Sequence, residues 1–263
     1  MQTHSDEIRQ RPATDGIAPM DRPGVLTRFF MTVAEYAEWL NLRYAKFGNP
    51  YVYDNADFPW VAEIEAHWQL IRHELDRVLL RIDELPDIQE LAPDAVSITW
   101  DSGWKSFLLV AYGIRSKRNI EFCPETWRMV QKIPGLKTAM FSIFRPGKRL
   151  PPHRGPYNGV LRLHLGLLVP DHNCNLGIRV GTEVHGWKEG RVLIFDDAYE
   201  HEAWNETDRP RVVLFVDFEK PLRFPVNILN RILLRLAALT PYLREGNDNL
   251  QRWERRFYSK KPT

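Results

Sequence analysis

The sequence predicts a mainly β fold, a double-sheet jelly roll or cupin-like barrel, with helices on its N-terminal side and an amphipathic helix near the C-terminus. Short apolar runs separated by turn signals fill residues 96–222, and two of these signals are Gly181-Thr182 and Glu189-Gly190. Residues 27–79 instead carry apolar groups at helical spacing. Many short strands with helices outside them are typical of a barrel or sandwich packed on helices.

The predicted elements follow in order along four segments: a tail 1–25, a helical support region 26–95, a β core 96–222, and an amphipathic helix with a basic tail 223–263. Helices are predicted over 27–47, 60–79 and 124–130, the second with Pro59 in its first turn. Predicted strands cover 104–114, 136–144, 160–169, 176–180, 190–195 and 211–218.

Composition limits the kinds of partner and the cellular compartment that we expect for this protein. A net charge of +2 argues against nucleic acid as the main partner. The tail mixes acids, bases and prolines without an apolar stretch, which predicts disorder and no secretory signal. Cys123 and Cys174 are expected to be free thiols, and no apolar run is long enough to span a bilayer. A cytoplasmic protein is the default expectation.

The predicted C-terminal helix, 225–239, is apolar except for a narrow polar stripe. Pro241 is expected to end it, and a basic tail with interleaved aromatic residues is expected to follow. An apolar helix with basic residues nearby suits peripheral contact with a membrane surface through 225–239. Packing against the barrel or a second subunit is the equally weighted alternative.

Two histidines at predicted strand edges are candidate metal ligands. His153 follows two prolines, and His201 lies in an acidic, aromatic turn. Neutral imidazole suits iron, zinc, copper or nickel. Non-haem iron(II) oxygenases normally add a carboxylate two positions after the first histidine, where this chain has Gly155. Either a carboxylate comes from elsewhere or the site has two protein ligands. Asp197, four residues before His201, could hydrogen-bond a metal-bound water.

The sequence around four other histidines does not predict that they bind a metal. His67 and His73 lie six residues apart on a predicted helix and do not share a face. His164 and His185 each fit an ordinary satisfied core position better than a ligand position.

Two arginines stand in otherwise apolar strands. A guanidinium there is costly unless it is paired, and arginine suits bidentate binding of a carboxylate. Arg162 and Arg211, beside two histidines, would therefore fit a dicarboxylate with one end on the metal. Two alternatives stay open: Arg162 could lie on the outer, solvated face, and Arg211 could pair with Asp217 or Glu206.

Three motifs in order resemble the aspartyl/asparaginyl β-hydroxylase family. They are His153-Arg154-Gly155-Pro156, the strand Arg162-Leu163-His164-Leu165-Gly166-Leu167, and the stretch from Gly186-Trp187 to Asp217. The resemblance covers roughly residues 104–217. Members are iron(II)/2-oxoglutarate oxygenases with a double-stranded β-helix fold, and they lack the carboxylate ligand, so Gly155 fits the family pattern.

The resemblance implies a role for each candidate residue, with iron(II) as metal, 2-oxoglutarate as cosubstrate and O₂ as oxidant. His153 and His201 would bind the iron, and Asp197 would orient the water in the vacant carboxylate position. The cosubstrate contacts would be Ser142 and Arg211 at the distal carboxylate, and Arg162 with nearby His164 at the metal-chelating end.

The run from Ile133 through Tyr157 is similar to bacterial hydroxylases of lipid acyl chains, and the helical-repeat region of the protein-modifying members is lacking. The predicted activity is hydroxylation of an unactivated carbon, most simply on a fatty-acyl chain of a bacterial lipid. Hydroxylation of aspartyl or asparaginyl residues, or of a free amino acid or small metabolite, is the alternative substrate class. A non-catalytic cupin-like module that binds a small acid is the alternative of another kind.

Overall fold

The structure, a computed structural model, describes residues 25–170, 175–237 and 241–259. Contacts divide the chain into two units, Met1–Tyr36 and Ala37–Thr263. The helices are α1 Val25–Arg43, α2 Val61–Ala66, α3 Trp68–Leu79, α4 Ile88–Leu91, α5 Lys117–Phe122, α6 Pro124–Val130, α7 Val226–Ala237 and α8 Pro241–Ser259. The boundary between the units falls inside α1, and every contact described below lies within the second unit.

The strands are β1 Val52–Tyr53, β2 Trp104–Ala111, β3 Ile114–Arg115, β4 Leu136–Phe144, β5 Lys148–His153, β6 Val160–Leu168, β7 Leu176–Val180, β8 Glu183–His185, β9 Val192–Phe195, β10 His201–Asn205 and β11 Arg211–Glu219. They form a large sheet in the order β1-β9-β6-β11-β4-β2-β3 and a small sheet in the order β5-β10-β7-β8. Neighbouring strands of both sheets run antiparallel. The mainly β, jelly-roll class predicted from the sequence is confirmed.

The centre of the large sheet is covered on both sides. Strands β4, β6 and β11 are buried along nearly their whole length, which requires apolar residues on both faces. One face looks toward the small sheet, and helices cover the other. On that outer face Phe107 of β2 meets Trp253 and Phe257 of α8 at ring-centroid distances of 6.1 and 6.3 Å.

Helix α8 corrects the prediction of a basic tail after Pro241. Pro241 begins a 19-residue helix, because proline is tolerated in a first turn. Trp253 and Phe257, four residues apart, lie on one buried face, while the arginines of the same stretch are exposed. The interleaved aromatic residues thus belong to the core.

Two other predicted elements are divided. The helix predicted over 60–79 is broken at His67, whose φ of −104° and ψ of 10° are not helical. The strand predicted over 104–114 turns at Tyr112 and Gly113, with φ of 46° and 95°, into a β2–β3 hairpin. Positive φ at both central residues suits the twist of a tight hairpin.

A buried acid joins the helical region to the β core. Glu74 of α3 is 3% exposed, and its carboxylate accepts hydrogen bonds from the backbone N–H groups of Glu125 and Thr126 and from the Thr126 hydroxyl. These groups lie in the first turn of α6, where backbone N–H groups have no partner within the helix. Cys123, directly before α6, is a buried free thiol as predicted; Cys174 lies outside the described residues.

Candidate active site

Two histidines from the small sheet face each other. His153 ends β5 and His201 begins β10, and the strand register places them directly opposite. Their ring centroids are 4.2 Å apart. The sequence separates these residues by a long stretch, and the antiparallel pairing of β5 with β10 brings them together.

Both rings are held in the same tautomer. Nδ1 of His153 lies 2.8 Å from the Pro151 carbonyl, and Nδ1 of His201 lies 2.9 Å from the Tyr199 carbonyl. Because a carbonyl oxygen only accepts, each Nδ1 carries the proton and each Nε2 keeps a free lone pair. Burial lowers the pKa of His153, and burial together with Arg162 and His153 lowers the pKa of His201 to about 3. Both rings are neutral near pH 7, the form that binds a metal.

The carboxylate of Asp197 occupies the space that a side chain at position 155 would need. A Cβ built on Gly155 would lie 2.3 Å from Oδ2 of Asp197, and the Gly155 N–H donates to the Asp197 carbonyl at 2.7 Å. The Asp197 carboxylate is buried, and neither oxygen has a hydrogen-bond partner among the described residues. Burial raises its pKa to about 7, against the opposite effect of Arg162. The carboxylate can therefore accept a hydrogen bond from a ligand or water.

Arg162 lines the cavity between the sheets, so the alternative that it lies on the outer, solvated face is wrong. Its Nε lies 2.9 Å from Oδ1 of Asp217, directly opposite on β11, and its Nη2 lies 2.9 Å from Oδ2 of Asp197. The contact with Asp197 is an ion pair without an aligned hydrogen bond. Its guanidinium also lies 4.3 Å from the ring centroid of Phe215. Arg162 thus offsets two buried carboxylates.

Arg211 is buried and has no acid partner in the described part of the chain. It is 1% exposed, and its Nε and Nη1 atoms lack a hydrogen-bond partner there. The guanidinium carbon lies 3.8 and 4.4 Å from the ring centroids of Phe144 and Trp187. The expected alternative of pairing with Asp217 or Glu206 is wrong. Asp217 is six residues along the same strand, about 20 Å away, and Glu206 pairs with Arg149.

Burial lowers the pKa of Arg211 to about 9, which leaves the guanidinium charged at pH 7. A buried charge that no protein group offsets is costly. Its position on the cavity wall provides a site for an anion. Ser142 lies on the neighbouring strand, where its Oγ accepts a hydrogen bond from the Trp104 indole at 3.0 Å. The serine proton remains available to an acceptor.

His164 is a buried cavity residue with one open donor. The indole N–H of Trp187 donates to its Nδ1 at 3.2 Å, so the neutral ring carries its proton on Nε2. That Nε2 atom is buried without a partner among the described residues. Burial, followed by the nearby charges of Arg211 and Arg162, lowers the pKa of His164 well below its usual range. The ring thus presents a neutral N–H donor.

A single cavity between the two sheets joins these residues. Its polar lining residues include His153, His201, Arg162, Arg211, His164 and Ser142, and its apolar lining includes Trp104, Ile178, Phe195 and Phe215. Among the described residues, no group of three or more His, Cys, Asp and Glu side chains could hold a metal ion.

Comparison with known proteins identifies the group to which this site belongs. The family model for aspartyl/asparaginyl β-hydroxylases matches residues 65–221. The chain is 61% identical to the ornithine lipid ester-linked acyl 2-hydroxylase of Rhizobium tropici over 246 residues, 94% of this chain and 88% of the relative. The chain belongs to the aspartyl/asparaginyl β-hydroxylase family. It is a hydroxylase of the 2-oxoglutarate-dependent class.

Two further matches cover a smaller part of this chain. The human aspartyl/asparaginyl β-hydroxylase is 34% identical over 166 residues, which cover 61% of this chain and 21% of that protein. A prolyl-4-hydroxylase structure from Pseudomonas putida aligns with a TM-score of 0.41 at 15% identity, covering 61% of this chain and 99% of that one.

Family membership shows the class of enzyme, while the role of each residue stays a prediction. Six of the predicted residues line one cavity: His153, His201, Arg162, Arg211, His164 and Ser142. The seventh, Asp197, is not part of that lining and contacts Arg162. His185, expected in the core, is half-exposed and lies 3.1 Å from Glu183.

Sequence reasoning gave no role in the site to Trp104 or Trp187, and it considered Asp217 only as a partner of Arg211. Only Asp217 had a usable signal, since even spacing along β11 places it on the same face as Arg211. Trp104 and Trp187 contribute through their indole N–H groups, and only the folded structure shows which residues accept those hydrogen bonds.

Proposed function

We propose that this chain is an iron(II)- and 2-oxoglutarate-dependent hydroxylase of an acyl chain ester-linked to an ornithine-containing lipid. The observation that carries the proposal is Arg211, a buried cation without an acid partner in the described chain, on the wall of the cavity that the two histidines share. Such a site is completed by a small anion that can also reach a metal.

The donor set fits iron(II). His153 and His201 keep free lone pairs on Nε2, their ring centroids lie 4.2 Å apart, and both rings are oriented by backbone carbonyls. Such orienting bonds tune metal-binding histidines. Asp197 occupies the space beside Gly155 and would hold a water in the position that a third protein ligand takes elsewhere. Two protein ligands leave room for a chelating oxo-acid, water and oxygen.

The polar side chains that line the cavity also suit the two carboxylates of 2-oxoglutarate. Arg211 would bind the distal carboxylate through its unpaired N–H groups, with the Ser142 hydroxyl as a second donor. At the other end, the Nε2–H of His164 and the guanidinium of Arg162 would meet the metal-chelating carboxylate. The phenylalanine and isoleucine side chains of the lining would exclude water from this space.

Iron(II) with 2-oxoglutarate and O₂ supplies an oxidation that inserts hydroxyl into an unactivated C–H bond and releases succinate and CO₂. The side chains of this protein bind, orient and shield the reactants. None of the described cavity residues is required as a nucleophile.

The substrate class follows from the relative in Rhizobium tropici, which the match covers almost end to end. A lipid substrate resides in a bilayer, so the proposal includes peripheral contact with the cytoplasmic face of the membrane through 225–239. None of the described helices is long and apolar enough to cross a membrane.

The test uses purified protein loaded with iron(II) under air, with vesicles that contain an ornithine lipid. We expect succinate to form in proportion to lipid that gains one oxygen on its ester-linked acyl chain. His201→Ala should form neither product, whereas His185→Ala, a control at a half-exposed histidine, should retain both.

The other outcomes identify the alternatives. Succinate coupled to an oxidised aspartyl or asparaginyl peptide, with unchanged lipid, would replace the lipid proposal with the activity named for the human relative. Binding of 2-oxoglutarate without any succinate in well-loaded protein would support a non-catalytic cupin-like module.

A further inference from the structure

Helix α7 buries one face and exposes an apolar row on the opposite face. The buried positions are four residues apart: Val226, Asn230 and Leu234, at 3%, 2% and 4% exposure. Ile228, Ile232 and Leu236 follow each by two residues and are 48%, 48% and 56% exposed. Two residues turn a helix by about 200°, so the exposed row lies opposite the buried row. Val226 packs with Ala45 and Leu222, which accounts for the inner face.

The exposed row continues into the chain before the helix. Phe224, four residues before Ile228, is 75% exposed. We call Phe224, Ile228, Ile232 and Leu236 together the α7 outer face. Large apolar side chains in a contiguous exposed row mark an interaction site more strongly than scattered ones.

The charged residues on and directly before this helix are all arginines. Arg223, Arg231 and Arg235 are exposed, and the stretch from Val226 to Ala237 contains no acidic residue. Arg231 contacts Glu219 at 3.2 Å at the end of β11, and that glutamate also binds Lys137. A basic border around apolar side chains complements an anionic lipid surface.

We infer that the α7 outer face docks on an anionic bilayer, with its apolar side chains among the acyl chains and its arginines at the headgroups. The inference rests on the proposed function, because a lipid-acyl substrate gives the enzyme a reason to be at the bilayer. A second copy of the chain is disfavoured as the occupant, since a symmetric contact would bring the two sets of arginines together.

Docking there would bring the bilayer to the helix that holds the loop after His153. The side-chain amide of Asn230, on the inner face of α7, donates to the Gly159 carbonyl at 2.8 Å. On the same loop Asn158 and Tyr157 accept hydrogen bonds from the Asn41 amide at 2.9 and 3.0 Å. This loop, Arg154 to Gly159, follows His153 directly. The helix that meets lipid therefore holds the loop beside a predicted metal ligand.

The inference is tested by co-sedimentation of the full chain with vesicles of phosphatidylcholine alone or mixed with phosphatidylglycerol. Wild type should bind the mixed vesicles more tightly. Ile232→Glu should weaken binding about tenfold or more, since it places a carboxylate in the apolar row facing anionic lipid. Arg235→Gln should weaken it about fivefold, which is about 1 kcal/mol. Leu80→Glu, at a residue 85% exposed at the end of α3, is the matched control and should bind as wild type.

Thermal unfolding and lipid-free succinate formation should be unchanged in all three variants, which separates docking from folding and from catalysis. Equal vesicle binding by Ile232→Glu and wild type would overturn the inference. So would absence of wild-type binding, or a wild-type dimer in light scattering that Ile232→Glu converts to monomer without any vesicle binding. Docking that persists while no lipid is oxidised would refute only the proposed substrate.

Discussion

Replacing Arg211 with methionine is predicted to stabilise the ligand-free protein. Arginine has an ordinary pKa above about 12, and burial lowers the pKa of Arg211 to about 9. At about 1.4 kcal/mol per pKa unit, keeping this charge buried costs about 4 to 5 kcal/mol. Burial lowers the pKa of this cation in the folded state. The resulting destabilisation is therefore fully present at pH 7, which lies below the folded-state pKa.

Removing the guanidinium also removes favourable contacts, which reduces the stabilisation gained in Arg211→Met. The guanidinium lies against Phe144 and Trp187, and such contacts stabilise by about 0.5 to 2 kcal/mol in a desolvated setting. Methionine keeps most of the volume. We expect Arg211→Met to gain about 2 kcal/mol, a rise of about 4 to 8 °C in Tm for a domain of this size. In calorimetry of metal-loaded, oxygen-free protein, 2-oxoglutarate should raise the Tm of wild type and leave that of the variant unchanged.

Arg162→Met is the contrasting control. This arginine contacts Asp197 and Asp217, and its removal leaves two buried carboxylates without a cation. Breaking a buried pair in this way costs about 3 to 5 kcal/mol. The two substitutions should therefore change Tm in opposite directions. If ligand-free Arg211→Met were destabilised as strongly as Arg162→Met, the interpretation of Arg211 as an uncompensated cation would be refuted.

Three further variants test other parts of the structure. Gly155→Ala should slow hydroxylation by about tenfold, because its methyl group would displace the Asp197 carboxylate; unchanged turnover would contradict a role for that carboxylate. Trp187→Phe keeps a ring but removes the donor that fixes the His164 tautomer, so the KM for 2-oxoglutarate should rise about fivefold, the equivalent of about 1 kcal/mol, with a smaller change in kcat. Glu74→Ala should lower the free energy of unfolding in urea by about 3 kcal/mol, because three donors lose their acceptor, while leaving the KM unchanged; a shifted KM would show that the helical region acts on the site.

The strands were predictable where apolar periodicity and turn signals agree. The predicted ranges 136–144 and 176–180 coincide with β4 and β7. The two histidines were expected at strand edges, but no strand range was predicted for β5, which carries His153, or for β10, which carries His201. Pro151 and Pro152 suggest a turn unless the strand is at a sheet edge, where β5 lies. Helix α8 was missed because its arginines obscured the four-residue spacing of Trp253 and Phe257.

The candidate site was predictable in its residues and much less so in their partnerships. The chemistry of imidazole and guanidinium, with the family motifs, was enough to single out His153, His201, Arg162 and Arg211. The sequence could not show which of the two arginines has an acid partner, because an ion pair depends on which residues face each other across strands. The alternatives written from the sequence assigned Asp217 to the wrong arginine for this reason.

The sequence by itself determined the jelly-roll class, through local periodicity and turn signals, and it singled out two histidines and two arginines as candidates through side-chain chemistry and the family motifs. Tertiary structure alone decided that Asp217 compensates Arg162 and leaves Arg211 charged and unpaired in the described chain, that Asp197 fills the space beside Gly155, and that α7 exposes an apolar row. Strand register and helix packing bring together residues far apart in the chain, and no local pattern encodes those distances.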